Sequence, residues 1–121
     1  MTHEQKQEAL AAFDLHAEIF GPRLAFSVDF DVKLNCCCSI GVLGLLNPRL
    51  TENNLLSERS PDARFRMDED INTDLAWIDT GEAFGLDGVE VYGENDGGPD
   101  SETPEQRFTR MRQWFADRPT R

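Results

Sequence analysis

Lysine is nearly missing from this chain: Lys6 and Lys33 stand against ten arginines in 121 residues. Between Met67 and Gln106 arginine is gone as well, and those forty residues carry thirteen Asp or Glu. By formal charge, residues 1–66 hold −2, residues 67–106 hold −13 and residues 107–121 hold +4, which makes the net −11 of the chain. Charge blocks of this kind concern partners, solubility and solvation rather than fold. A surface so poor in cations repels phosphate backbones, so direct nucleic-acid binding is not expected.

Long apolar runs are also missing. No stretch approaches the ~18 apolar residues of a membrane helix. The longest, Cys36 to Leu46, is interrupted by Ser39, Gly41 and Gly44. The N-terminus begins Met-Thr-His-Glu-Gln-Lys-Gln-Glu, without the basic-then-apolar order of a secretory signal. A cytoplasmic location is the expectation, or the host cytoplasm if the gene belongs to a phage. An acidic, lysine-poor surface is also what a salt-loving source would produce, where carboxylates hold water.

Paired cysteines are absent too. Cys36, Cys37 and Cys38 are consecutive, with no Cys-x-x-Cys spacing and only His3 and His16 to help. A zinc site needs spaced ligand pairs. Neighbouring strand residues point to opposite faces, so three adjacent thiols cannot meet on one metal. Two are expected in the core as small apolar groups, with the third facing out or packing elsewhere. Three free thiols suit a reducing compartment. There is no Ser-His-Asp set, phosphate-cradling glycine loop or dinucleotide fingerprint.

What is present is enough for a core. The hydrophobic fraction is 39%, ordinary for a globular chain, and the length suits a single domain over residues 1–121. Thr2 to Phe20 reads as a helix, with Thr2 and Gln5 forming a capping box, Leu10, Phe13, Ala17 and Phe20 as its apolar stripe, and Gly21-Pro22 as its stop. Leu24, Phe26, Val28, Phe30, Val32, Leu34 and Cys36 alternate with smaller or polar residues, the period of a half-buried strand. Cys37 to Leu46 reads as its continuation or as a second, more buried strand. Thr51 to Glu58 suggests a short helix, and Arg64 to Met67, Leu75 to Asp79 and Val89 to Tyr92 suggest strands, with Asp87-Gly88 as a hairpin turn. Residues 93–102 read as an acidic, glycine-rich loop. Thr103-Pro104-Glu105-Gln106 opens a final helix whose stripe is Phe108, Met111 and Phe115, with Trp114 beside it. The expected fold is α+β: a small antiparallel sheet of about four or five strands flanked by an N-terminal and a C-terminal helix.

Three acidic arrangements bear on function. Asp29, Asp31 and Lys33 would share one strand face. A carboxylate-x-Lys pair on a strand resembles the active-site strand of restriction-type nucleases, where carboxylates hold a divalent metal. Such a site needs a further carboxylate, and Glu18 is the only one nearby. Asp68, Asp70, Asn72 and Asp74 follow the D-x-D-x-N-x-D spacing of a calcium loop, with Asp79 at the twelfth position. Thr73 stands where the sharp turn wants Gly, and Asp79 where a bidentate Glu is usual. The third is the acidic block itself. Two like charges ~7 Å apart in water repel by about 0.6 kcal/mol before screening, a cost that many pairs multiply. Trp77, Phe84 and Tyr92 lie inside the block, as aromatic anchors among carboxylates would in an interface. His16, beside the stripe of the first helix, reads as a boundary residue.

The expectation is a small non-catalytic binding or inhibitor protein without a cofactor. It would dock an acidic surface on a basic protein, either a nuclease toxin or a nucleic-acid-binding defence complex, with carboxylates where phosphates would stand. The residues expected to face that partner are Asp68, Glu69, Asp70, Asp74, Trp77, Glu94, Asp96 and Asp100. A metal-binding module or divalent-metal enzyme using Asp29 and Asp31, or the loop from Asp68 to Asp79, is the alternative. The oligomeric state is left open.

Overall fold

A computed structural model describes residues 1–28, 30–45 and 80–121, with the side chain of Leu45 outside that description. The described residues form four helices and one two-stranded sheet, in the order α1 (His3–Phe20), β1 (Phe30–Asp31), β2 (Cys36–Cys37), α2 (Ser39–Leu45), α3 (Gly88–Asp96) and α4 (Pro104–Ala116). Residues 80–83 add a helical turn ahead of α3. The expected four- or five-stranded sheet is therefore not what forms: helices dominate, and the sheet is the antiparallel pair β1–β2, with Phe30 opposite Cys37 and Asp31 opposite Cys36.

Both terminal helices form where their caps place them. Thr2 Oγ1 accepts the Gln5 N–H at 3.1 Å while Gln5 Oε1 accepts the Thr2 N–H at 2.7 Å. Thr103 and Gln106 repeat the box, with Pro104 in the first turn. Each box satisfies two amides that the helix itself cannot. Gly21 closes α1 at φ 94°, in the left-handed half of backbone space that favours glycine.

The two helices run antiparallel. Lys6 Nζ, near the start of α1, donates to the Ala116 carbonyl at the end of α4 at 2.8 Å. Between them Phe13 meets Phe108 and Phe115, with ring centroids 5.6 and 5.2 Å apart. Phe13, Met111 and Phe115 are fully buried, each such side chain contributing about 1.5–3 kcal/mol. On α1 the buried face is Ala9, Ala12, Phe13, His16 and Phe20, with Leu10 and Ala17 half-buried at its margin. His16 is thus inside the core, not at its boundary.

The long alternating run from Leu24 to Cys36 is broken twice. Ser27 sits at φ 62° and Asn35 at φ 54°, both incompatible with an extended strand. Asp31 Oδ1 accepts the N–H groups of Lys33 and Leu34 at 2.9 and 3.0 Å, turning the chain between β1 and β2. This is local capture of backbone by a short acid, which competes with strand pairing. The segment before β1 still lies along β2, because the Ala25 N–H donates to the Cys37 carbonyl at 2.8 Å.

Cys37 to Leu46, expected as strand, is instead two strand residues followed by α2. Ile40, Val42 and Leu43 are all buried, and α2 packs against both α1 and α3. A helix enclosed on every side needs no polar face, so its sequence shows no helical period. Cys36, Cys37 and Cys38 are all fully buried and in no disulfide, so none of the three faces outward.

Val89 to Tyr92 is helix rather than strand, and Asp87-Gly88 is no hairpin. Asp87 caps α3, its side chain accepting the Val89 N–H at 2.9 Å. Gly81 lets the 80–83 turn cross the start of α3, where a Cβ would strike the Gly88 backbone. The expected helix over Thr51 to Glu58 and the expected strands over Arg64 to Met67 and Leu75 to Asp79 lie outside the described residues.

Candidate acidic interface

Of the residues expected to face a partner, Asp68, Glu69, Asp70, Asp74 and Trp77 lie outside the described residues, as do Asp29, Asn72 and Asp79. Glu94, Asp96 and Asp100 are described, and they do three different things. Asp100 is exposed in the turn after α3. Glu94 is half-exposed and sits 3.5 Å from Arg110 Nη1. Asp96 faces inward. Its Oδ1 accepts the Ser27 N–H at 3.0 Å and its Oδ2 accepts the Ser27 hydroxyl at 2.9 Å.

Asp96 belongs to a polar seam between α3 and the segment before β1. The Tyr92 hydroxyl donates to the Ser27 carbonyl at 2.8 Å, so α3 binds the N–H, the hydroxyl and the carbonyl of Ser27. Burial and the carboxylate of Asp96 both hold the Tyr92 phenol above its ordinary range, against the hydrogen bond to Ser27. Asn95, fully buried, accepts from Ser39 N and Oγ at 3.0 and 2.8 Å and donates to the Ala25 carbonyl at 3.1 Å. A second Asn95 amide hydrogen goes to Asp96 Oδ1 at 2.9 Å. Buried amide and hydroxyl groups are costly unless paired, and here they pair with one another.

Residues 93–102, expected as a loop, thus finish a helix and then fold back. The return is held by Glu102, whose side chain is 4% exposed. Arg110 donates to it twice, Nε to Oε2 at 2.7 Å and Nη2 to Oε1 at 3.0 Å, while Arg107 Nε lies 3.3 Å away. The Arg110 guanidinium holds the Glu102 carboxyl below the usual carboxylate range, and Glu102 in turn raises Arg110. Arg110 also donates to the Glu94 and Asn95 carbonyls at the end of α3, where cations complement the helix dipole.

Arg107, Arg112 and Arg118 are likewise engaged. Arg107 Nη1 donates to the Leu24 carbonyl at 3.1 Å and its guanidinium stands over the Phe26 ring. Arg112 makes two bonds to Asp14 on α1, at 3.0 and 3.2 Å. Arg118 stacks 4.1 Å from the Trp114 ring centroid, with Glu90 at the edge of reach at 4.0 Å. The positive charge of residues 107–121 is tied into the fold at each of these four positions.

The two aromatics of the acidic block that are described do not stand out as surface anchors. Phe84 is in the core and Tyr92 is half-buried with its hydroxyl bound. Asp31 is turned onto its own backbone and Lys33 lies in that turn, so the two do not share a strand face. No group of three or more His, Cys, Asp or Glu able to hold a metal forms among the described residues, and none of their helices is long and apolar enough to cross a membrane. Sequence reasoning gave no role to Ser27 or Asn95, which carry the polar seam, and placed Glu102 only as an acid at the start of the last helix. The partners of Ser27 and Asn95 across the seam lie far along the chain, and no local spacing signals them. No family model, curated protein or solved structure matches this chain.

Proposed function

We propose that this chain is a non-catalytic acidic binding protein. Its negative surface docks on a basic protein of the kind that handles nucleic acid, as an immunity protein does with a nuclease toxin or a phage inhibitor with a defence complex. The observation that supports this most is the use of the arginines. Arg107, Arg110, Arg112 and Arg118 are held by Glu102, Glu94, Asp14, Glu90 and backbone carbonyls. Those four cations of residues 107–121 are engaged inside the molecule. The chain carries a net charge of −11, which speeds encounter with a positive surface and repels wrong partners.

The acids divide by task on this reading. Asp96 and Glu102 build the fold, while exposed acids such as Glu82, Asp100 and Glu105 form the docking surface. The test is competition. A partner captured on the purified chain is challenged with a nucleic-acid duplex that it binds. Displacement of the chain by the duplex is the expected result, and simultaneous binding of both contradicts mimicry of phosphates.

A further inference from the structure

His16 is a fully buried titratable group to which the acidic surface gives no role. Its Nε2 accepts the Cys37 N–H of β2 at 2.9 Å. An accepting Nε2 carries no proton, so the neutral ring keeps its proton on Nδ1. Nδ1 is buried without a well-formed hydrogen bond, although the Gly21 backbone is close enough to favour a proton on the ring. The ring packs against Phe20 and Phe108, with centroids 5.1 and 6.5 Å away. It is therefore a joint between α1, β2 and α4.

A second proton changes this joint in two ways. Nε2 would gain an N–H aimed at the N–H of Cys37, so an attraction becomes a repulsion. A full charge would also appear among phenylalanine rings, where burial penalises it. The surrounding groups do not compensate. Arg23, on the segment after α1, adds positive charge at the ring. On α4, Arg107 beside Phe108 is turned to Glu102 and the Leu24 carbonyl. On β2, burial pushes the Cys36 thiol up to about 11, which keeps it neutral. On β1, the Asp31 carboxylate is bound to its own turn. Burial accordingly takes His16 down to about 4.

We propose that His16 is an acid-release latch: the neutral ring ties β2 to α1, and protonation breaks that tie and frees the strand carrying Cys36 and Cys37, with Cys38 behind it. The proton comes from bulk solvent, and no other group need change charge.

Amide hydrogen exchange on the intact chain between pH 7 and pH 4, corrected for intrinsic rates, tests this. The Cys37 amide should lose about a hundredfold of protection over that range, ahead of the Met111 amide in α4. Labelling of the thiols by a dipyridyl disulfide, which reacts in acid, should rise with it. In His16→Gln the side-chain oxygen can still accept from Cys37 but does not titrate, and the pH dependence at Cys37 should vanish. Cys37 holding its protection until Met111 loses it, or His16→Gln showing the same profile as the original chain, overturns the latch. Should His16→Gln fail to fold, the imidazole titration of the unaltered chain decides. A midpoint that coincides with the loss of Cys37 protection supports the latch, and a separate midpoint overturns it.

Discussion

Asp96 accepts both the N–H and the hydroxyl of Ser27, and in doing so holds a non-glycine residue at φ 62°. That conformation costs an L-residue roughly 1–2 kcal/mol, which the two bonds to a carboxylate offset. An acid that reads as surface charge in the sequence is a clamp between α3 and the segment leading to β1.

Asp96→Ala should therefore destabilise the chain by about 2–3 kcal/mol, because it leaves Ser27 strained and three donors, two on Ser27 and one on Asn95, without their acceptor. Urea denaturation measures this. A loss below about 0.5 kcal/mol, the usual effect of an exposed acid, would show that Asp96 is not a clamp.

The Glu102–Arg110 pair gives a sharper test. Arg110→Ala leaves a nearly buried carboxylate with Arg107 alone, and should cost about 3 kcal/mol. Arg110→Lys should recover only part, since a point charge cannot make the paired bonds. The Glu102 carboxyl is held below its ordinary value by Arg110. Its stabilising effect is thus full above the ordinary carboxylate range and is lost as pH falls through that range and below. Acid titrations of stability should separate the original chain from Arg110→Ala at neutral pH and bring them together in strong acid.

Two glycines should respond with opposite signs. At Gly81 a Cβ would strike the Gly88 backbone and the Leu86 carbonyl, so Gly81→Ala should destabilise by about 1–3 kcal/mol. At Gly93, inside α3, a Cβ meets nothing within 4 Å. Gly93→Ala should stabilise by about 0.5–1 kcal/mol through helix propensity. Thermal melts of the two variants check both.

What was readable in the sequence was local. Thr2 with Gln5 and Thr103 with Pro104 and Gln106 mark helix starts because each cap is made within a few residues. Phe108, Met111 and Phe115 mark a buried stripe because α4 has one wet face. The errors arise where one signal serves two structures. Asp87-Gly88 suits a hairpin turn, yet the same aspartate caps a helix. Ile40, Val42 and Leu43 look like strand, yet a helix buried all round has no period to show. The run from Leu24 to Cys36 alternates as a strand does, but the bends come from Asp31, which binds nearby amides, and from Asp96, sixty-nine residues beyond Ser27. Distant pairing of that kind is invisible without the fold. It also explains why residues 93–96 read as part of the loop, since Asn95 and Asp96 find their partners in distant segments, while 97–102 are irregular as expected.

The central claim is that the exposed acids dock on a basic partner, and charge reversal with salt titration tests it most directly. Glu82, Asp100 and Glu105 are exposed. Reversing all three to lysine raises the net charge by two at each position, from −11 to −5. The dissociation constant for the captured partner is measured from low to high salt with the original chain and with the triple variant. The original chain should weaken by about tenfold or more as screening shortens. The triple variant, its stability verified by urea denaturation, should bind more weakly at low salt and show a shallower slope. Equal affinity and equal slope for the two chains would contradict the account.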